Sequence, residues 1–308
     1  MRGRGPERAR FAGSAVLRCA TLAVAVWCTP AAMAVSVAAA PTPPGEAASA
    51  LAIDWETDRD QAMAAARRDG KPLLIDFWAT WCQPCRDMEA RLWSRPDVMA
   101  ASRKFICLRV DVDRDPVTAR RYHSEALPTL ILADPWGTEL ARREGFSGPG
   151  EYVDLLRAMP ADFKEVAPWQ ERLAANPRDV EALRQAGLAY HRLTLFDTSN
   201  EFLAKVLATK DAKAKPDLLA EALTIVGWNN LKLRNLKRAR KSFERCLKEV
   251  PSHPALDVTL YGLLAVDIAE GDRARAEPLL TRLESCCPDS ALTARARKDL
   301  ASPVTQAR

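Results

Sequence analysis

The sequence predicts an α/β domain with a mixed central sheet flanked by helices, followed by an all-α region of stacked helix pairs. Three observations carry this reading. Between residues 51 and 159, short apolar runs alternate with helical periodicity in the order helix, strand, helix, strand, helix, then a strand hairpin and a closing helix. Beyond Pro160 strand signals vanish and helical periodicity takes over. A length of 308 residues is roughly twice a single core of about 150.

The chain opens with MRGRGPERAR, which sets four arginines ahead of the apolar run Cys19–Ala34. Ala32 and Ala34 end that run in the small-x-small pattern of a signal-peptidase site. Residues 1–34 are therefore expected to be a cleaved signal peptide, and the protein to be exported, to the periplasm in a bacterium. An uncleaved leader, anchoring the protein in the membrane and facing the periplasm, is the alternative, because apolar character continues through Ala40. Pro30 and the short apolar core argue against a span of about 20 residues.

The leader also explains the charge. It holds five arginines against Glu7, net +4 of the chain's +5, so the remainder is almost neutral. That balance gives no support for nucleic-acid binding, which needs a concentrated phosphate-neutralising surface. Six cysteines remain after the leader, and in an oxidising compartment any suitably placed pair can close.

Residues 35–50, rich in Ala, Pro and Gly, read as an extended linker. Glu56–Arg68 has helical spacing and stops at Asp69-Gly70. Lys71–Ala79, KPLLIDFWA, is a nearly continuous apolar run, as expected for a strand buried on both faces. Cys82 follows that strand and a helix follows Cys85, so the pair CQPC sits at a strand-to-helix junction. Phe105–Asp113 is the next strand and Asp115–Glu125 a helical segment. Ala126–Asp134, a Pro135-Trp136-Gly137 turn and Glu139–Phe146 form the hairpin, and Gly150–Met159 the closing helix.

Residues 51–159 resemble a thioredoxin-fold domain. The resemblance rests on IDFWATWCQPC, Ile75 to Cys85, and on Leu127-Pro128-Thr129 about 45 residues after the first cysteine. The Lys71-Pro72 entry and residues 91–113 are more similar to exported thioredoxin-like reductase domains, such as the C-terminal domain of the transmembrane disulfide-reductant carrier. The resemblance implies an α/β thioredoxin fold, a protein thiol-disulfide oxidoreductase, and no cofactor beyond the redox-active disulfide.

In that frame Cys82 takes the first position of a helix, where unpaired N–H groups stabilise a thiolate. Lowering a thiol pKa from about 8.5 to about 7 raises the thiolate fraction from roughly 3% to roughly 50%. The accompanying loss of nucleophilicity is about fivefold, so the net gain is only about threefold. The shift therefore matters more for leaving-group quality and redox balance. Cys85, one turn deeper, is expected to be less exposed and to resolve a mixed disulfide. Pro84 fixes φ where its missing N–H costs little.

The resemblance implies that Asp76 assists proton transfer at Cys85; a carboxylate at a solvent-facing strand edge is the alternative. It also implies a cis bond before Pro128, and a Leu127 backbone, with Thr129 beside it, that pairs with an extended substrate. Trp81 is expected to shield the disulfide and contact substrate, or else to be a core tryptophan. The partners implied are a protein disulfide or dithiol substrate and an upstream redox donor.

Other readings of the cysteine pair have less support. A structural zinc site needs four ligands, and no second paired set exists among three histidines. Copper handling would have only Met88 as an added soft ligand. Cys107 reads as a small buried hydrophobe, and Cys286-Cys287, where a vicinal disulfide would be strained, as free thiols or as paired elsewhere.

In the second half, Ala220–His253 resembles one tetratricopeptide repeat across its 34 positions through Leu223, Gly227, Ala239, Phe243 and Pro251. Asp257–Ser290 fits a second copy, with Leu264 in place of a small residue and Pro278 expected at the first turn of a helix. Val180–Lys213 is an earlier, weaker copy with Ser199 at the mid-repeat alanine. Residues 160–179 are expected to be a linker with a leading half-repeat helix, 180–300 a tetratricopeptide-repeat solenoid, and 301–308 a tail.

Such a groove implies a peptide or protein partner. Arg184, His191, Arg192, Trp228, Lys232 and Tyr261 map to its lining, a basic and aromatic set suited to an acidic or extended partner; packing of Trp228 and Tyr261 against the linker or the thioredoxin-like domain is the alternative. The function expected is an exported oxidoreductase working in the reductive direction, with the repeats recruiting a partner. A noncatalytic assembly adaptor and a copper-handling protein are the alternatives.

Overall fold

The structure, a computed structural model, describes residues 52–302, so the expected leader, the linker through residue 50 and most of the tail lie outside the described residues. Trp55–Glu56 (β1) is a two-residue strand that the sequence reading assigned partly to a helix; too short to show alternation, it is defined by parallel pairing with Cys107 and Leu108. The helix Arg59–Asp69 (α1) begins three residues later than expected, because Asp58 caps it by accepting the Gln61 N–H at 2.9 Å. Gly70, at φ 69°, ends it in the left-handed conformation.

Leu73–Trp78 (β2) is central in a five-stranded sheet ordered β1-β3-β2-β4-β5, with Ile106–Asp111 (β3), Thr129–Ala133 (β4) and Glu139–Glu144 (β5). β3 runs parallel to β1 and β2, while β4 and β5 run antiparallel to their neighbours. The mixed sheet expected from the sequence is therefore present. Gln83–Met88 (α2) leads into a π-helical turn at Glu89–Trp93, where the Ser94 N–H bonds to the Glu89 carbonyl at 3.3 Å. Pro96–Ser102 (α3), Pro116–Arg121 (α4) and Gly150–Ala158 (α5) complete this part.

Strand alternation sorts the core. Leu73, Ile75 and Phe77 pack with Met63, Ala66, Val110 and Tyr122 on one face. Leu74 turns to the other face, against Met88, Leu92, Trp93, Leu130 and Leu156. That second core does not stop at residue 159. It runs on through Phe163, Val166 and Leu173 to Tyr190 and Phe202.

Residues 160–166 are consequently no loose linker. Phe163 and Val166 are fully buried, and the Phe163 N–H bonds to the Gly70 carbonyl at 2.8 Å. The sequence reading missed this because the segment is short and carries Pro, Asp and Lys, which read as loop composition.

Nine helices follow in the described residues: Ala167–Ala175 (α6), Val180–Arg192 (α7), Phe196–Leu207 (α8), Lys210–Ala214 (α9), Pro216–Lys232 (α10), Leu236–Glu249 (α11), Leu256–Glu270 (α12), Arg273–Cys286 (α13) and Ala291–Ala301 (α14). Short turns join α7 to α8, α10 to α11 and α12 to α13, each with a left-handed residue just past the first helix: Thr194, Arg234 and Gly271. Small residues let these helices approach. A Cβ on Gly187 would meet Leu203, and one on Gly227 or Gly262 would overlap the Phe243 ring. Ser199 replaces an alanine without penalty, since its hydroxyl donates to the Gly187 carbonyl at 2.7 Å. Pro278 sits inside α13 rather than in its first turn, because that helix begins at Arg273.

A buried polar cluster ties the sheet to these helices. Tyr190 of α7 donates its hydroxyl to Asp134 at the end of β4. Gln170 of α6 donates to both, at 2.7 Å to Tyr190 and 3.2 Å to Asp134. The other Asp134 oxygen accepts the Trp136 and Thr138 N–H groups, each at 2.8 Å. Burial pushes the Asp134 carboxyl up, and its donors partly offset that.

Candidate functional site

Cys82 and Cys85 are joined by a disulfide, with S–S 2.04 Å and Cα–Cα 5.3 Å. Cys82 is the N-cap of α2 rather than its first helical residue; its backbone is still extended, at φ −77° and ψ 105°. Its sulfur accepts the Cys85 N–H at 3.1 Å, so one unpaired amide of the helix start points at the atom that must carry negative charge. The expected difference in burial is absent, both cysteines being 3% exposed in one cluster with Ala79, against which Trp78, Val112 and Leu127 pack.

Leu127 packs against the cluster formed by Ala79, Cys82 and Cys85. The Leu127–Pro128 bond is cis, and Pro128 hands the chain into β4 at Thr129, whose hydroxyl donates to the Ala126 carbonyl at 2.6 Å. The two sequence-distant halves of the site thus meet. Trp81 is 64% exposed and donates its indole N–H to Asp113 at 2.9 Å, so it is a surface residue, not a core one. Val117, the other exposed large hydrophobic among the described residues, stands near the start of α4; nothing in its sequence context signalled this.

On β2, the strand that leads to Cys82, Asp76 is 1% exposed. It is not at a solvent-facing edge, since β2 is paired on both sides. Arg109, its partner in the parallel register, places Nε 3.3 Å from Asp76 Oδ2 and another guanidinium nitrogen 2.6 Å from Glu89. The guanidinium also lies 4.6 Å from the centroid of Trp78. Burial raises the Asp76 carboxyl to about 7; Arg109 pulls it down, Glu89 pushes it up and the nearby Trp93 indole favours the anion. No direct hydrogen bond reaches Asp76 Oδ1 or Trp93 Nε1. A carboxyl that titrates near neutrality is matched to taking and returning a thiol proton.

Arg109, Glu89 and Trp93 escaped the sequence reading. A basic residue amid the apolar run Phe105–Val110 was a usable signal for Arg109. Glu89 and Trp93 carried none, since the π-helical turn that carries both is invisible in a short helical pattern.

Met88 is buried in the core, 1% exposed, which removes the soft ligand that a copper reading relied on. Among the described residues no group of three His, Cys, Asp or Glu side chains is arranged to hold a metal. Cys107 is buried and its thiol is pushed up to about 12, chiefly by burial. Cys286 and Cys287 are free.

The residues mapped to a helical groove do not form one lining. A cavity of about 1220 Å³ at the starts of α7 and α10 includes Arg184 but none of the other five. Arg184 is bound by Glu181 and Glu221, Arg192 by Glu165, and His191 contacts Asn229. Trp228 packs against Phe243 and Tyr261, and the Tyr261 hydroxyl donates to Asp299 at 2.7 Å. Lys232 is exposed. The cavity carries Asp179, Glu181, Asp211, Asp217 and Glu221 against Arg178, Arg184 and Lys215, so its lining is acidic. Helix periodicity alone does not tell which cations meet carboxylates on a neighbouring helix, as Arg184 meets Glu221.

Comparison with known proteins places these features in a family. A thioredoxin-like family model matches residues 54–135, which include Asp76, both cysteines and Pro128. The chain is 36% identical over 97 residues to the thiol:disulfide interchange protein DsbD 2 of Pseudomonas aeruginosa, covering 30% of this chain and 16% of that protein. It thus spans about one sixth of that relative. It is 39% identical over 85 residues to a thioredoxin of Echinococcus granulosus, covering 27% of this chain and 75% of that protein. The solution structure of a thioredoxin from Thermus thermophilus aligns at 26% identity over 34% of this chain and 85% of that one, with a TM-score of 0.32. Through the segment that holds the Cys82–Cys85 disulfide, the chain belongs to the thioredoxin-like family.

Proposed function

We propose that the protein is an exported thiol-disulfide oxidoreductase that reduces disulfides in protein substrates, with its helical region recruiting a protein partner. The observation that carries this reading is the Cys82–Cys85 disulfide, capped by a helix amide and packed against Leu127 beside cis-Pro128, at the end of the strand that buries the neutral-range carboxyl of Asp76. In the dithiol form the Cys82 thiolate attacks a substrate disulfide and forms a mixed disulfide. Asp76 takes the Cys85 proton. The Cys85 thiolate then attacks Cys82, releases the substrate as a dithiol and restores the internal disulfide.

Trp81 and the Leu127–Thr129 segment form the substrate-contacting rim, with the Leu127 backbone pairing to an extended chain. An upstream reductant returns the disulfide to the dithiol. The reductive direction and the exported location draw support from the match to a DsbD protein and from the arginine-led apolar N-terminus. The helix pairs are read as tetratricopeptide repeats. Their acidic cavity favours an extended segment with basic side chains over the acidic partner first expected.

Thiol-dependent reduction of insulin tests the catalytic reading. Wild type turns over and Cys82→Ser falls to background, while Cys85→Ala accumulates mixed disulfides visible on non-reducing gels. An intact, titratable dithiol without turnover would instead make the protein a binding adaptor. Export is tested by fractionating cells that produce the full chain; retention of the unprocessed protein in the cytoplasm would refute it.

A further inference from the structure

Of the four free cysteines among the described residues, Cys107 and Cys246 are buried, whereas Cys286 is exposed and its neighbour Cys287 is partly so. These two adjacent thiols end α13: Cys286 is its last residue, and Cys287, its C-cap, has left helical geometry at φ −144° and ψ 53°. The Cys287 carbonyl is anchored by the Thr293 hydroxyl at 2.7 Å and its N–H by the Leu283 carbonyl at 2.9 Å. The backbone around the pair is thus held, while the exposed Cys286 has its Sγ in only a long contact, 3.9 Å, with the Leu283 carbonyl.

We propose that Cys286 and Cys287 form a second dithiol–disulfide couple, closed by exchange with a small disulfide and reopened by the Cys82–Cys85 dithiol of another copy. The second half of this proposal rests on the oxidoreductase reading above. Adjacent Cα atoms across a trans peptide lie about 3.8 Å apart, short of the 4.4–6.8 Å usual for disulfides. A closed pair would therefore be strained, and strained, exposed disulfides are the readily reduced ones. Cys286, the more exposed of the two, is the attacking sulfur.

The electrons balance with glutathione disulfide as oxidant. The Cys286 thiolate attacks one glutathione sulfur, forms a mixed disulfide and expels one glutathione thiolate. Cys287 loses its proton, attacks Cys286 and expels the second. Two protein thiols lose two electrons and two protons, and one glutathione disulfide becomes two glutathione thiols. In reopening, Cys82 attacks the vicinal bond, Cys85 resolves the mixed disulfide, and the Cys82–Cys85 bond reforms as the vicinal thiols return.

The test uses full chains of two kinds. A Cys82→Ser, Cys85→Ser protein is treated with glutathione disulfide, and the tryptic peptide Leu283–Arg295 is weighed. The expected product is monomeric protein whose peptide has lost two hydrogens and carries no glutathione. Stable glutathione adducts or dimers bridged through Cys286 would overturn the proposal.

The oxidised protein is then offered to a reduced Cys286→Ser, Cys287→Ser chain. Reopening is expected at least tenfold faster than with the same chain lacking Cys82. Equal rates overturn the proposal. Insulin reduction by that same reductant, run in parallel, shows whether the oxidoreductase reading survives or falls with it.

Discussion

Asp76 on β2 and Arg109 on β3 face each other in the parallel ladder with Oδ2 and Nε 3.3 Å apart, yet burial outweighs the cation and holds the carboxyl near 7. A buried charge with one opposing charge and an unfilled oxygen is destabilised relative to its neutral form. The fold carries this cost on β2, the strand that leads to Cys82.

Replacing Asp76 by Asn should therefore stabilise the protein above neutrality. The unfolded carboxyl ionises near 3.8 and the native one near 7, so the wild type loses stability as pH rises between those values and no further above them. A shift of about three units corresponds to roughly 4 kcal/mol. Urea denaturation should show Asp76→Asn more stable by an amount approaching this at pH 8, with the difference vanishing near pH 4. Parallel pH curves for the two proteins would refute the assignment.

Arg109 is the cation that pulls the Asp76 carboxyl down. Removing its charge in Arg109→Gln takes away an influence that lowers the carboxyl, so the pH midpoint of insulin reduction should move upward by about one unit. Arg109→Lys, which keeps the charge without the fork, should stay closer to wild type. An unchanged midpoint in Arg109→Gln would mean that Asp76 does not govern the profile.

Tyr190 joins the sheet to the helices through Asp134, and Tyr190→Phe leaves a buried carboxylate oxygen with only Gln170 as donor. Loss of a hydrogen bond to a buried charged group costs about 1.5–3 kcal/mol. Because one core runs through both regions, the expected result is a single unfolding transition at lower denaturant. Far-ultraviolet circular dichroism and tryptophan fluorescence should shift together; two separate transitions would show that the network does not couple the regions.

The catalytic geometry was legible because it is local in its causes. A strand of aliphatic residues, a proline after the first cysteine and the turn before Thr129 each dictate their own backbone, and the sheet then brings Leu127 to Cys82. What surrounds that geometry was not legible. Glu89 and Trp93, the two residues of the π-helical turn that act on Asp76, lie apart from it in sequence, and Arg192 meets Glu165 across 27 residues. In the helical half, periodicity located the helix pairs but not the rotation of each helix, so Trp228 and Tyr261 were mapped to a groove when their rings stack on one another.

Phe243 of α11 is wedged between Gly227 of α10 and Gly262 of α12, and a methyl group at either glycine would collide with its ring. The ring is fully buried, so it cannot turn aside into solvent. Gly262→Ala should therefore destabilise the protein by about 1–3 kcal/mol despite the better helix propensity of alanine, because overpacking outweighs the gain of roughly 1 kcal/mol. Trimming the wedge separates this collision from a backbone effect. Phe243→Leu alone should be destabilising through lost packing, but in that background Gly262→Ala should cost much less than in the wild type, a coupling measurable by a double-mutant cycle in urea. If the two substitutions simply add, the aromatic ring is not what demands glycine at 262.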